Sequence, residues 1–556
     1  MNKIVDESYF DLIIDNNTAQ SLKNGEKDSI FKINSRLSLL LINESQFNMC
    51  AMDTFPFASF PALFTLTSEI STNSNIDKVQ SNPNLALFGQ GVLVAIIDTG
   101  IDYHHKAFQY ADGSTRILSL WDQTINENNT PPKGFYYGSE YNKDIINIAL
   151  KSMNPSNIVP SVDEIGHGTM MAGIAGGSPD KSMEFSGVVP QCEFIIVKLK
   201  PAKNLNKKIF CIPNDKLCYE ATDLISGLTY VTETAQSVKR PLAICIAMGT
   251  TQGGHDEVGP ATSYVNYLSN SPQIGIAVSG GNEGNNRRHY FGDITQPYFH
   301  DFELNVSEKD PLFSFEIWSS TPYRMGLDIT TPTGEVFASL YPQINECRKL
   351  TFVFTPSTIW LNNIITEFDT GDQKIMLRFE NALNGIWRFR ITSIDEKPIT
   401  FHCWLPSAHL ISEETYFLNS NPDTTITSPG NADAPLTVGN YSGETGNINI
   451  NSSRGYTRTN IINPNLAAPG TNILCPIPDN KYTQITGTGA AAAHSTGAIA
   501  MALEWGVVKG RYTSITGSNI KNLFIRGAYR SEKMEYPNKS WGYGALDVYG
   551  LFEKLI

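Results

Sequence analysis

The stretch Gly91-Val-Leu-Val-Ala-Ile-Ile-Asp98-Thr-Gly100 sets the architecture. A run of branched apolar residues without polar alternation suits a strand buried on both faces, as in a parallel sheet between helix layers. The acid and the Thr-Gly turn that end it deliver a carboxylate to the carboxyl edge of the sheet, where open α/β folds hold their chemistry. Runs of the same kind recur at 193–198, 242–247 and 274–278, with room for helices at 222–238 and 260–268. This alternation predicts an α/β fold with a doubly wound parallel sheet.

Outward from that strand the composition changes twice. Residues 1–70 read as a small α/β unit with strands at 9–15 and 36–43, followed by a polar linker over 68–84. From 298 to 424 the grammar is all-β: short alternating segments such as Leu312-Phe-Ser-Phe-Glu-Ile-Trp318 and Gly385-Ile-Trp-Arg-Phe-Arg-Ile391, separated by Pro, Gly, Asn and Asp. They predict a β-sandwich or jelly roll inserted into the α/β domain. The parallel-sheet character returns at Leu436-Thr-Val-Gly439, and a last helix is expected at 548–554. The expected organisation is therefore an N-terminal unit (1–70), the first part of an α/β domain (71–297), an insert (298–424) and the second part (425–556).

The chain has 556 residues, 41% of them apolar and 17% charged, which is the composition of a folded globular protein. A net charge of -13 opposes a nucleic-acid partner, because neutralising phosphates requires clustered Lys and Arg. The N-terminus shows no signal-peptide h-region, and no uncharged apolar run reaches membrane-spanning length. Synthesis in the cytoplasm without a membrane span is the expectation. The eight cysteines include no CxxC pair, so they are expected as reduced, mostly buried thiols. No loop has the ligand spacing of a metal site, and no cofactor is expected.

Five motifs fit one chemistry. Asp98 ends the first strand. His167 lies in Gly166-His-Gly-Thr-Met-Met-Ala-Gly173, whose small residues let a helix start close to the sheet. Asn282, in Ser279-Gly-Gly-Asn-Glu-Gly284, can aim an amide N–H at an oxyanion, with Gly280 beside it. Ala247, Met248 and Gly249 follow a strand at a place where an extended peptide can pair. Last comes Gln484-Ile-Thr-Gly-Thr-Gly-Ala-Ala-Ala-Ala-His-Ser-Thr-Gly-Ala-Ile-Ala500, a glycine turn running into an alanine-rich helix. Taken singly, Asp98 reads as a turn or cap acid, His167 as a packed histidine and Asn282 as a left-handed turn residue. Their order of acid, base and nucleophile turn is what selects catalysis.

In that order the chain resembles the subtilase superfamily, and within it the clostridial germination proteases. The segments Arg116-Ile-Leu-Ser-Leu-Trp-Asp-Gln-Thr124, Gln252-Gly-Gly-His-Asp256, Leu466-Ala-Ala-Pro-Gly470 and Trp541-Gly-Tyr-Gly-Ala-Leu-Asp547 carry the likeness over nearly the whole length. The resemblance implies a prodomain at 1–70, Asp98 as the acid, His167 as the base and Asn282 at the oxyanion position. Ala247, Met248, Gly249 and Gly280 would form the substrate groove. Gly489 stands where that family has serine, so the resemblance implies a pseudoprotease of the catalytically dead branch, its prodomain uncleaved and lying across the groove. It further implies a role in spore germination: incorporation into the spore, sensing of a germinant such as a bile salt or amino acid, and control of a partner germination protease or pseudoprotease upstream of a cortex hydrolase. The alternative is an active serine endopeptidase that processes the cortex-hydrolase precursor through another hydroxyl, Thr488 or Ser495.

Overall fold

A computed structural model describes all residues except 1–2, 23–28, 47–48, 51–54, 68–75, 127–129, 345–346, 408 and 556. Eight strands build the central sheet in the spatial order Leu466–Pro469, Leu436–Tyr441, Ile274–Ser279, Leu242–Ile246, Leu93–Asp98, Glu193–Lys198, Ile117–Asp122 and Ser139–Asn142. Every neighbouring pair is parallel except the last, an antiparallel edge. The strand Leu93–Asp98 is buried throughout, and its side chains divide between two cores with the period of two that a strand imposes. Val94 and Ile96 face the helices His167–Gly176, Thr488–Leu503 and Gly517–Gly527, whereas Leu93, Ala95 and Ile97 face Ala221–Ser237 and Pro260–Ser269. The doubly wound α/β fold expected from the sequence is the fold observed.

The helix Thr488–Leu503 is buried along its entire length. Alanine and glycine over most of it let the backbone approach both the sheet and the helix that begins at His167. A helix apolar on all sides belongs inside a protein, and here it forms the middle of the domain.

The insert comprises two antiparallel sheets. One has the order His289–Ile294, Ile399–Trp404, Leu312–Ser319, Gln373–Glu380, Thr358–Ile364 and Cys347–Thr351; the other has Val336–Leu340, Met325–Thr330, Gly385–Ser393, Phe299–Val306 and Tyr416–Phe417. Both contribute to one core rich in aromatic residues, including Phe302, Phe315, Phe379, Trp387 and Phe389. Its strands run from His289 to Phe417, so the β grammar begins ahead of residue 298.

The N-terminal unit is a three-stranded antiparallel sheet, in the order Tyr9–Asp15, Leu37–Asn43 and Ile30–Lys32, with the short helix Asn16–Ser21. Ile13, Leu39 and Leu41 pack on the α/β domain, while Phe10, Leu12 and Leu40 turn to a cluster that includes Met376 of the insert. The unit is thus wedged between the other two. Part of the expected linker, Ile76–Ser81, is a helix held by buried Val79, and residues 68–75 lie outside the described residues.

One expectation about cysteine is corrected. Cys50 and Cys347 form a disulfide between the N-terminal unit and the insert, their Cα atoms 5.3 Å apart across a sequence separation of 297. No local spacing announces a bridge between residues so distant in sequence. The other six cysteines are free and buried, Cys211 and Cys218 among them. Among the described residues no helix is long and apolar enough to cross a membrane, and no His, Cys, Asp and Glu cluster has metal-site geometry.

Candidate active site

The acid and the base meet at the carboxyl end of the central strand. His167 Nδ1 lies 2.8 Å from Asp98 Oδ1 and 2.9 Å from Oδ2, with both residues buried. This carboxylate fixes the tautomer with a proton on Nδ1 and leaves Nε2 as the acceptor facing the cleft. Among the described residues Nε2 is buried without a hydrogen-bond partner. The approach of helix to sheet requires glycine: a Cβ on Gly168 would come within 2.1 Å of Gly100 O. A buried carboxylate that the sequence reading missed, Asp163, holds the helix start in place. It accepts from Gly166 N (2.8 Å), Thr169 N (2.9 Å), Thr169 Oγ1 (2.7 Å) and Thr99 Oγ1 (2.7 Å). Thr99 in turn accepts from Gly168 N at 2.8 Å. Asp163 stands four residues ahead of His167, the first helical residue, and three ahead of the Gly166 N–H it accepts from, the i, i+3 spacing of a capping acid and a signal present in the sequence.

Opposite them, Gly487 precedes the helix Thr488–Leu503 with φ 149°, a setting closed to L side chains, and Gly489 is the second helical residue. First-turn N–H groups have no partner inside their helix. Here the Gly489 N–H donates to the carbonyl oxygen of Thr67 at 2.6 Å. Asn282 Oδ1 accepts from Thr488 N and Thr488 Oγ1, each at 3.1 Å, which leaves the Asn282 amide NH2 as a donor at a cavity also lined by Thr67 and Gly487. A carbonyl therefore sits among oxyanion-type donors at a helix N-terminus. Glycine at 489 supplies no hydroxyl to that carbonyl.

Thr67 belongs to an extended segment lying in the groove. Leu63–Leu66 pairs antiparallel with Met248–Gly249 on one side, in the register Met248↔Leu66 and Gly249↔Thr65, and with Tyr219–Glu220 on the other. Thr67 N–H donates to Ala247 O (3.2 Å), and its hydroxyl donates to Ala247 O (2.8 Å) and contacts Ser279 Oγ (2.9 Å). Phe64 is fully buried. Ala247, Met248 and Gly249, expected from the sequence as a place where an extended peptide pairs, here pair with this segment of the same chain. Gly280 bonds Val438 O through its N–H and Thr427 N through its carbonyl, and the neighbouring Ser279 meets the Thr67 hydroxyl. Nothing in the sequence around Thr67 marks it as the residue that would lie at the site.

The two other hydroxyls near the turn are committed elsewhere. Thr488 Oγ1 is engaged with Asn282 and accepts from Gly281 N at 3.1 Å. Ser495 Oγ donates to Ala491 O at 2.8 Å inside its own helix.

A second charged constellation anchors the N-terminal unit beside the groove. Asp11 is ion-paired with Lys203, and its N–H donates to Asn206 Oδ1 at 3.1 Å; Lys200 pairs with Asp223 at 2.8 Å. Glu220, next to the groove strand, accepts from Lys203 N at 2.7 Å. All five charged groups are buried, three carboxylates against two ammonium groups. Burial, helped by Glu220 and only partly opposed by Lys203, pushes Asp11 up to about 8. Burial acts on Glu220 in the same sense, but Lys200 and Lys203 outweigh it and hold its carboxyl below the ordinary value. Burial pushes Asp223 up as well, against the pull of Lys200, so the protonated form is favoured at Asp11 and Asp223 rather than at Glu220.

Comparison with known proteins agrees with this geometry. The subtilase family matches residues 89–298 and 413–544, more than half of the chain, and the gap between the two matches falls on the β insert. The solved CspB protease of Clostridium perfringens superposes with a TM-score of 0.76 at 28% identity, covering 87% of this chain and 98% of that one. The C5a peptidase of Streptococcus pyogenes is 21% identical over 83% of this chain, which spans about two-fifths (39%) of that protein's length. Thermitase of Thermoactinomyces vulgaris is 20% identical over 54% of this chain and 83% of its own. By the family match over more than half of its length, together with the sheet order and the Asp98–His167 pair, the chain belongs to the subtilase family.

Proposed function

We propose that this chain is a catalytically inactive subtilase, a pseudoprotease that works by binding. The observation that carries the reading is glycine at 489, whose N–H holds the Thr67 carbonyl and which offers no hydroxyl. In a serine protease the hydroxyl oxygen attacks the carbonyl, histidine takes its proton and aspartate orients the ring. Here Asp98 and His167 have only water to deprotonate. Loss of the nucleophile leaves about 10³ to 10⁴-fold enhancement over water from the oxyanion hole and binding, which for a peptide bond is biologically negligible. The committed hydroxyls of Thr488 and Ser495 argue against a replacement nucleophile.

Residues 1–67 remain joined to the domain in this reading, with Leu63–Leu66 filling the groove as an uncut substrate. Likeness to a germination protease extends the proposal to biology: the chain regulates spore germination, senses a germinant and controls a partner protease upstream of a cortex hydrolase. Labelling with a fluorophosphonate, which reacts only with an activated nucleophile, tests the reading. The unmodified protein is expected to remain unlabelled while Gly489→Ser takes up label; labelling of the unmodified protein at Thr488 or Ser495 contradicts it.

A further inference from the structure

Where the N-terminal unit, the α/β domain and the insert converge there is a cavity with about 660 Å³ of unfilled space, counting its solvent-open mouth. Its walls are mainly apolar and aromatic: Phe57, Phe60 and Phe64 from the segment leading into the groove, and Trp318 from the insert. Set among them is Glu367, 3% exposed. One of its oxygens, Oε2, accepts from Asp369 N (3.0 Å), Thr370 N (2.9 Å) and Thr370 Oγ1 (2.9 Å). The other, Oε1, is buried and among the described residues has no hydrogen-bond partner.

A buried carboxylate oxygen without a donor costs desolvation energy that only a cation or a donor returns. Lys374, which pairs with Glu316 at 3.5 Å and lies over the Phe57 and Trp318 rings, is shared electrostatically between Glu316 and Glu367, and burial lowers its ammonium to about 7, so one weakened cation faces two buried carboxylates. Asp256 also lines the cavity, but it is paired with Arg458 at 2.7 Å. At the mouth, exposed Asp369 adds a carboxylate that forms no ion pair among the described residues. An apolar chamber with an under-compensated carboxylate in its wall and another at its entrance fits one ligand class.

We infer that this cavity binds a small organic monocation, with a primary ammonium donating to Glu367 Oε1 and a compact apolar body against Phe57, Phe60 and Trp318. Because Phe57, Phe60 and Phe64 belong to the segment that becomes the groove strand, such a ligand ties that segment to the insert and holds Leu63–Leu66 in the groove. This coupling rests on the occupied-groove reading above; the binding itself does not.

Titration calorimetry on the full chain with cyclohexylammonium, cyclohexanol and cyclohexanecarboxylate separates charge from shape. The ammonium is expected to bind at least tenfold more tightly than either analogue. Glu367→Gln, which retains an acceptor for the Asp369 and Thr370 N–H groups, should weaken it about tenfold, and so should Ala58→Leu, which fills the chamber and leaves the carboxylates intact. Equal affinity for the carboxylate, no heat with 10 mM (about) ammonium, or unchanged affinity in both variants overturns the assignment. Hydrogen exchange at 57–66 should slow severalfold with the ammonium bound, and unchanged exchange overturns the coupling. Peptide hydrolysis by the unmodified protein bears on the inactivity reading alone, so the two failures are distinguishable.

Discussion

The two halves of the cleft differ in what each has kept. On one side Asp98 and His167 are in contact, oriented by Thr99 and Asp163 and packed as a working acid–base pair would be. On the other, Gly487, Gly489 and Asn282 supply a turn, an N–H donor and an amide, but residue 489 carries no hydroxyl, and in the proposed reading that is the one atom missing. The difference shows that the scaffold and the reagent are separable. Backbone geometry depends on glycines, capping and packing spread over many residues, whereas the chemistry depends on one hydroxyl.

The sharpest way to test the contrast is to add that hydroxyl. Gly489→Ser should raise cleavage of the Thr67–Ser68 bond by at least roughly 10³-fold, given that removing the nucleophile from a complete triad costs on the order of 10⁶ in kcat. Intact mass should show fragments ending at Thr67, slightly upstream of the 1–70 boundary expected from sequence. If the variant stays whole, the acid–base half is a relic rather than a poised pair. Within that variant, Asn282→Ala should slow cleavage by about 10² to 10³-fold, the usual cost of one oxyanion donor. A smaller loss, read from the same mass time course, would mean that the Gly489 N–H holds the carbonyl without the amide.

Phe64→Ala tests how far the groove strand is held by packing. A buried phenylalanine cut to alanine costs about 3–5 kcal/mol, so residues 1–67 released from the Gly489→Ser protein should rebind more than 100-fold more weakly. The smallest effect is on pH dependence. Asp11 has a docked value of about 8 against 3.8 when free, so its proton is retained only while docked. Docking is therefore unpenalised below the free value and weakens as pH rises from about 4 through about 8. Rebinding should fall between pH 6 and pH 9, and Asp11→Asn should flatten that slope. An unchanged slope would place the proton on another of the buried carboxylates.

The legibility of these regions follows the same division. The central strands were readable because residues such as Val94, Ala95 and Ile96 are buried on both faces, and the groove wall because Met248 and Gly249 directly follow such a strand. Asp98, His167 and Asn282 were readable because motif order carries chemistry. The occupancy of the groove by Thr67, the Cys50–Cys347 bridge and the buried Asp11 cluster were not, since each joins residues far apart in sequence whose local surroundings are ordinary. Asp163 lies between: its spacing to Gly166 is cap-like, but only the folded chain shows that it also holds Thr99.

The most direct test of the central claim is the intact mass of the unmodified protein after prolonged incubation at neutral pH. The account predicts the full-length mass, unchanged. Appearance of a species lacking residues 1–67, in a preparation free of other proteases, would show that the cleft cuts without a serine at 489 and would contradict it.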